Sequence, residues 1–322
     1  MGVRLAVLIG STAVTLAASA CGEDASRAAR EHGGAALSGT IRVDGAKTVS
    51  PLTKAIARRF EAAHPGARVA VGRAGDARGF ARFCHGETDL ADASAPIEAK
   101  AIDACEAGGV RWSRVTVADD AVVLVVNRGN PVRCLTTDQL AQIWRGNSNV
   151  TERWSQIGGL TPPYDEELVA WGPGIDTETF AFFTLAVNRE RDVTRDYNNA
   201  LHRNGNALRN VGGSPGAIGY AAWALYRRDV APVRLLAVDS GDGCVRPSPR
   251  TIADGSYRPF SRRLFVYVSA DALARPEVQA FLRSYLRQAQ SVARRAGFVP
   301  LTGDQLAASK ANLERLIARA SD

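Results

Sequence analysis

The chain has 322 residues and a formal net charge of +7, with 40 Lys and Arg set against 33 Asp and Glu. Lysine occurs only at 47, 54, 100 and 310, and arginines such as Arg58-Arg59, Arg227-Arg228 and Arg294-Arg295 are spread along helix-like segments. That distribution describes a solvated basic surface and excludes a nucleic-acid footprint, on a chain long enough for two lobes with a core each.

Residues 1–20 read as a signal peptide: Arg4 is followed by an apolar run from Leu5 to Ala20, too short and too small-sided to span a membrane comfortably. Ala18-Ser19-Ala20 before Cys21 resembles a bacterial lipobox, which implies cleavage and lipidation at Cys21. Residues 21–38, polar from Glu23 to Gly34, read as a flexible tether. The expected location is therefore the outer face of the cytoplasmic membrane, held by lipid. Four further cysteines, Cys84, Cys105, Cys134 and Cys244, suggest two disulfides in an exported chain. Counting leaves three pairings open; proximity in sequence favours Cys84 with Cys105, leaving Cys134 with Cys244. No C-x-x-C pair is present, so neither a metal ribbon nor a thioredoxin-type site is expected.

From Gly39 the pattern is α/β. Thr40–Val43 alternates as a strand, Leu52–Ala63 carries apolar residues at helical spacing and stops before Pro65, and Ala67–Val71 is the next strand. A helix over Gly79–Cys84, an apolar segment over Asp89–Ala95 and a helix over Glu98–Ala107 follow. Val115–Asn127 is a long β-branched run of the kind that crosses between lobes. Thr137–Trp144 is a helix with Thr136 or Thr137 as its cap, Glu167–Trp171 a strand, Thr177–Leu185 a helix and Ala217–Trp223 a returning strand. Phe265–Val268 is a strand, and helices over about Pro276–Ala296 and Gly303–Ala320 close the chain. The expected division is residues 39–121 with 222–322 as lobe 1 and 122–221 as lobe 2, hinged where Val122–Asn127 lies beside Ala217–Tyr220.

Five stretches resemble loops of one known family. Asp44-Gly45-Ala46-Lys47-Thr48-Val49-Ser50-Pro51 resembles G-S-S-T-V-x-P. Gly75-Asp76-Ala77-Arg78-Gly79-Phe80 resembles G-T-G-G-G-F, and Arg82 through Ile97 resembles R-F-C-x-G-E-x-D-I-A-D-A-S-R-P-I. Trp171-Gly172-Pro173-Gly174-Ile175-Asp176-Thr177-Glu178-Thr179-Phe180 resembles Y-G-P-G-T-D-S-G-T-F. Pro215-Gly216-Ala217-Ile218-Gly219-Tyr220 matches P-G-A-I-G-Y, and Arg263-Leu264-Phe265-Val266-Tyr267-Val268 resembles R-P-L-F-I-Y-V. Together these loops are similar to those of the phosphate-binding protein family of ABC importers. The resemblance implies a two-lobed α/β fold of the periplasmic-binding-protein type 2 class, with mixed sheets flanked by helices and a hinge of crossing strands. It also implies a monomer that holds inorganic phosphate or a similar oxyanion in the interlobe cleft and docks on an ABC permease and ATPase complex, without cofactor or metal.

An anion in such a cleft is held by unpaired N–H groups at helix starts and by hydroxyl donors, while one carboxylate accepts the proton of hydrogen phosphate. The resemblance places Thr48, Val49, Ser94, Thr177 and Thr179 at donor positions of that site, where each hydroxyl also suits a helix cap, and the charged Lys47, Asp76, Arg78 and Asp176 on the same loops are further candidate ligand-binding residues. The departures from the family fall on the same loops. Ala46 and Lys47 stand for serines, Asp76 for a hydroxyl donor, Ala77 and Arg78 for glycines, Ala95 for an arginine or acceptor aspartate, and Glu178 for a glycine beside the anion. A carboxylate ~4 Å from a bound anion repels it by about 1–4 kcal/mol, depending on the local dielectric. Two arrangements would compensate. Lys47 and Arg78 could restore positive charge at the ligand, with Asp76 or Asp176 accepting its proton. Alternatively they could pair with Glu178 and Asp76 and fill the cleft with the chain's own charges.

Catalysis is not expected. His32, His64, His85 and His202 are dispersed, Asp165-Glu166-Glu167 reads as a solvated loop, and H-E-x-x-H does not occur. The competing function is a repurposed scaffold, a surface sensor or interaction protein with a different small ligand or none.

Overall fold

The computed structural model describes residue 2 and residues 37–146, 151–195, 198–199, 207–229 and 231–321. The expected signal peptide, Cys21, most of the tether, His32 and His202 lie outside the described residues. Among the described residues, no helix is long and apolar enough to cross a membrane.

The first half alternates strand and helix. Strand β1 (Gly39–Gly45) leads into α1 (Ser50–Ala63), where Leu52, Ile56, Ala57 and Phe60 make one buried face and Pro51 sits in the first turn, where its missing N–H costs nothing. Then come β2 (Ala67–Val71), α2 (Asp76–Cys84), β3 (Leu90–Ala93) and α3 (Ala99–Ala107). Helix α2 starts at Asp76, three residues before the expected Gly79. Gly75 turns the chain at a left-handed φ of 94°, and an aspartate in the first turn complements the helix dipole.

Strand β4 (Trp112–Asn127) is 16 residues long and almost wholly buried in its second half, so it reads as a continuous apolar run without alternation. After β5 (Cys134–Thr136), helix α4 (Thr137–Trp144) begins under a capping box: Thr136 accepts the Gln139 N–H, and Gln139 accepts that of Thr136. Strand β6 spans Val169–Gly172, two residues later than expected at its start, because Glu167 instead makes an isolated bridge with Arg153. Helix α5 spans Glu178–Asn188, with Thr177 as its cap and not its first residue, and it ends at Arg189 in the left-handed region (φ 59°).

The remaining elements are β7 (Asn198–Asn199), α6 (Ala207–Gly213), β8 (Ala217–Ala222), α7 (Trp223–Tyr226), β9 (Val233–Leu235), β10 (Ala237–Asp239), β11 (Cys244–Val245), α8 (Pro249–Ala253), β12 (Ser261–Ser269), α9 (Ala270–Leu273), α10 (Pro276–Ala296) and α11 (Gly303–Ser321). Trp223 opens α7 and does not end β8.

One mixed sheet runs β2-β1-β3-β12-β4-β8-β6-β7, with β9 also on β4, and a small sheet runs β11-β10-β5. Strands β1, β2 and β3 are parallel, whereas β12 is antiparallel to both β3 and β4. Two hydrophobic cores share β4. Val115, Val117 and Ala118 pack with α1 and α10, where Phe60 meets Phe281 edge-on at 5.3 Å. Ala121–Val126 pack with the second core, where Phe183 of α5 stacks on Tyr220 of β8 at 3.7 Å. The disulfides are Cys84–Cys105 and Cys134–Cys244, the pairing that sequence proximity favours.

Three carboxylates, Asp92 and Asp119 buried and Asp76 half-buried, weigh on stability. Burial pushes Asp92 up to about 8, with the Asp76 and Asp44 charges adding and a Thr53 hydrogen bond opposing. Burial likewise pushes Asp119 to about 7, against the pull of Arg263. Burial pushes Asp76 to about 6. An unfolded aspartate titrates near ~3.9, so above that pH the folded chain holds protons that the unfolded chain has released. Stability from these groups is therefore greatest at acidic pH and falls as the pH rises through about 6 to about 8. The protein is expected to melt at a higher temperature at pH 5.5 than at pH 8, measured by circular dichroism; a lower melting temperature at pH 5.5 would contradict this.

Candidate functional site

The loops singled out by sequence converge because glycines let the backbone close up. A Cβ on Gly45, whose φ is 131°, would sit 2.1 Å from the Asp92 carbonyl oxygen, and one on Gly79 would sit 2.3 Å from the Gly45 Cα. The ends of β1 and β3 and the second turn of α2 thus meet at a distance that only glycine permits. The loop after β1 then turns tightly into α1. Val49 is fully buried and its N–H goes to the Ala46 carbonyl at 3.2 Å, so this N–H is satisfied within the turn.

Two carboxylates take the donors that the family resemblance assigned to an anion. Glu178, first residue of α5, reaches across to the 47–48 loop. Its Oε1 accepts the Lys47 backbone N–H at 2.9 Å, and its Oε2 accepts the Thr48 hydroxyl at 3.2 Å. Asp76 does the same for Ser94, with Oδ1 accepting the Ser94 N–H at 3.0 Å and Oδ2 accepting its hydroxyl at 2.6 Å. Burial raises Asp76 and the Glu178 charge raises it further, while the two Ser94 bonds and the charge of Arg262 pull it down. Lys47 extends its ammonium to Asp176, 3.3 Å from the carboxylate and from the backbone carbonyl.

Lys47, Asp76, Arg78, Asp176, Thr177 and Glu178 line one cleft of about 640 Å³, with Ala77 and Ala95 also on its wall. Thr48, Val49, Ser94 and Thr179 are not on that wall. Thr177 serves the helix: its hydroxyl accepts the Phe180 N–H at 3.2 Å and donates to the Gly174 carbonyl at 2.7 Å. Thr179 is buried. Of the charge pairs expected to fill the cleft, the acids arrive but the cations do not follow them. Glu178 binds the Lys47 backbone while the Lys47 ammonium goes to Asp176. Arg78 is exposed and makes no ion pair among the described residues.

Sequence reasoning missed Arg262. Its side chain is 3% exposed, it donates to Asp120 Oδ2 through Nη2 at 2.8 Å and Nε at 3.2 Å, and its guanidinium lies 5.3 Å from the Phe182 ring centroid. Its Nη1 and the Asp120 Oδ1 are buried without hydrogen-bond partners among the described residues. The pair spans β12 and β4 where the sheet passes from one core to the other, and its positive end bears on Asp76. The available signal was the pairing of Asp119-Asp120, inside a run of buried β-branched residues, with Arg262-Arg263 in a second apolar strand; charges in such runs need partners.

The chain resembles proteins of known family along most of its length. Residues 30–286 match the PBP superfamily domain. Protein SphX of Synechococcus elongatus is 34% identical over 263 residues, covering 81% of this chain and 77% of the relative. Phosphate-binding protein PstS of Staphylococcus haemolyticus is 28% identical, covering 91% of each. A possible phosphate binding protein from Planctomyces limnophilus has a crystal structure that superposes with a TM-score of 0.71 at 30% identity, covering 89% of this chain and 100% of that one. A putative phosphate ABC transporter substrate-binding protein from Clostridium perfringens, solved with bound phosphate, shares the fold at a TM-score of 0.62 and 20% identity, covering 82% of this chain and 100% of that one. From the mixed α/β sheet, the order of the loops and these likenesses, the chain belongs to the phosphate-binding protein family, with the type 2 fold of periplasmic binding proteins.

Proposed function

We propose that this chain is the extracytoplasmic solute-binding lipoprotein of an ABC importer, taking phosphate or a related oxyanion in the cleft walled by Lys47, Asp76, Arg78 and Asp176. The observation that carries this reading is the seat of Glu178. A carboxylate presents two oxygens with a shared negative charge, and here it stands in for two oxygens of an anion. The Lys47 N–H and the Thr48 hydroxyl hold it from the loop that opens α1. The relatives that carry phosphate-binding names support the same ligand. Residues 39–121 with 222–322 and residues 122–221 would be the two lobes, closing about β4 and β8 around the ligand before docking on the permease. Cys21 would carry the lipid that keeps the monomer at the outer face of the cytoplasmic membrane.

A second reading has its own observation. The Lys47 and Ser94 N–H groups and the Thr48 and Ser94 hydroxyls all point to the chain's own carboxylates. A scaffold repurposed as a sensor or interaction protein could keep its loops in that state permanently. Calorimetric titration of the purified protein, stripped of bound anion, separates the two. Binding of phosphate and not of sulfate at pH 7 is expected for the transport reading, with an aspartate accepting the phosphate proton. No heat with either anion supports the repurposed scaffold.

A further inference from the structure

We propose that Glu178 is a tethered competitor for the cleft's ligand, so that its carboxylate, and not the donor set alone, sets the concentration at which the cleft loads. The inference rests on reading the cleft as an oxyanion site. Glu178 takes two donors at once, a backbone N–H and a hydroxyl on consecutive residues, as an oxyanion would. Its backbone is fixed at the head of α5 by the Thr177 cap, and its Oε1 lies 3.5 Å from where a Cβ of Gly75 would be, so the carboxylate lies against the 75–76 turn as well. Asp176, two residues before it, holds the other end of Lys47 through the ammonium. The 176–178 segment therefore grips Lys47 at both its backbone and its side-chain terminus, and one of those grips occupies the seat.

A group attached by a short tether acts at an effective concentration of millimolar or more, whereas a scavenged anion arrives far more dilute. An incoming oxyanion must release Glu178 from both donors and then tolerate its charge nearby. Ligand binding is thereby weakened by the ratio of seated to released Glu178, with no change in the donors themselves. The same exchange favours ligands that make more of the seat than a carboxylate can. A tetrahedral oxyanion has further oxygens for the exposed Arg78 guanidinium on the same cleft wall; a simple carboxylate does not.

The test is calorimetric titration of wild type, Glu178→Gly and Glu178→Gln with inorganic phosphate at one pH, each variant first checked by its melting temperature. The expected result is at least tenfold tighter phosphate binding by Glu178→Gly. A smaller gain in the same direction is expected for Glu178→Gln, which keeps an acceptor for the Lys47 N–H but loses the charge. Sodium acetate, matched in ionic strength by chloride, should weaken phosphate binding by Glu178→Gly and leave wild type almost unchanged, because a free carboxylate refills the vacated seat. Equal, tight binding by all three proteins would overturn the proposal and leave the oxyanion reading standing. No binding by any of them would overturn both. A gain in Glu178→Gly that acetate does not reverse would also overturn it, since simple charge repulsion would then account for the difference.

Discussion

Replacing Arg262 with methionine is expected to lower the unfolding free energy by about 3–5 kcal/mol, the cost of leaving one member of a buried ion pair alone. Asp120 has no exposed side-chain surface, and the Arg262 guanidinium is its ion-pair partner. Methionine fills most of the volume, so cavity formation contributes little and the loss measures the stranded charge. Adding Asp120→Asn in the same chain should recover part of the loss, because no unpaired carboxylate then remains. That non-additivity, read from urea unfolding of the two single variants and the double, is the signature of the pair. A single-variant loss below about 1 kcal/mol would mean that water reaches Asp120 and the pair is not desolvated. The substitution should also raise the Asp76 pKa further, since Arg262 is one of the charges pulling it down.

The second large effect belongs to the disulfides. Cys134–Cys244 closes a loop with a sequence separation of 110, against 21 for Cys84–Cys105. Chain-entropy arguments assign about 5 kcal/mol to the longer loop and about 3 kcal/mol to the shorter one at 25 °C. Paired serine substitutions at Cys134 and Cys244 are therefore expected to destabilise the chain more than those at Cys84 and Cys105. The measurement is denaturant unfolding under non-reducing conditions. The reverse order would show that the contacts around Cys84 and Cys105, both fully buried, outweigh the constraint on the unfolded chain.

Much of the scaffold was legible because local pattern and packing agree. The helix over residues 137–144 and the long apolar strand of β4 follow from spacing and residue type, while the choice of Thr136 over Thr137 as the cap comes from the structure. Boundaries slipped where a side chain serves a contact outside its own element. Thr177 looked like the first helical residue and is the cap; Glu167 looked like a strand residue and pairs with Arg153. The site was legible as a set of loops but not as a set of bonds. Glu178 could be flagged as a charge where the family carries glycine. That it turns onto the Lys47 N–H depends on how loops separated by 131 residues meet, which no local pattern encodes. Arg262 was missed for a related reason. Beside Arg263, it resembles one more surface arginine, and only the antiparallel register, with Arg262 opposite Asp120, turns it inward.

The position of β12 carries a consequence for how the chain is made. It lies between β3 and β4, with Val266 opposite Asp92, although it is synthesised after nearly all of the second core. Until residues 261–269 emerge, one edge of β3 has no neighbour, and α10 is not there to cover α1. The 121–260 region, by contrast, carries nearly all of its own core and can close while the chain is still growing. Assembly should therefore run from the middle outward, with the earliest residues among the last to reach their final partners.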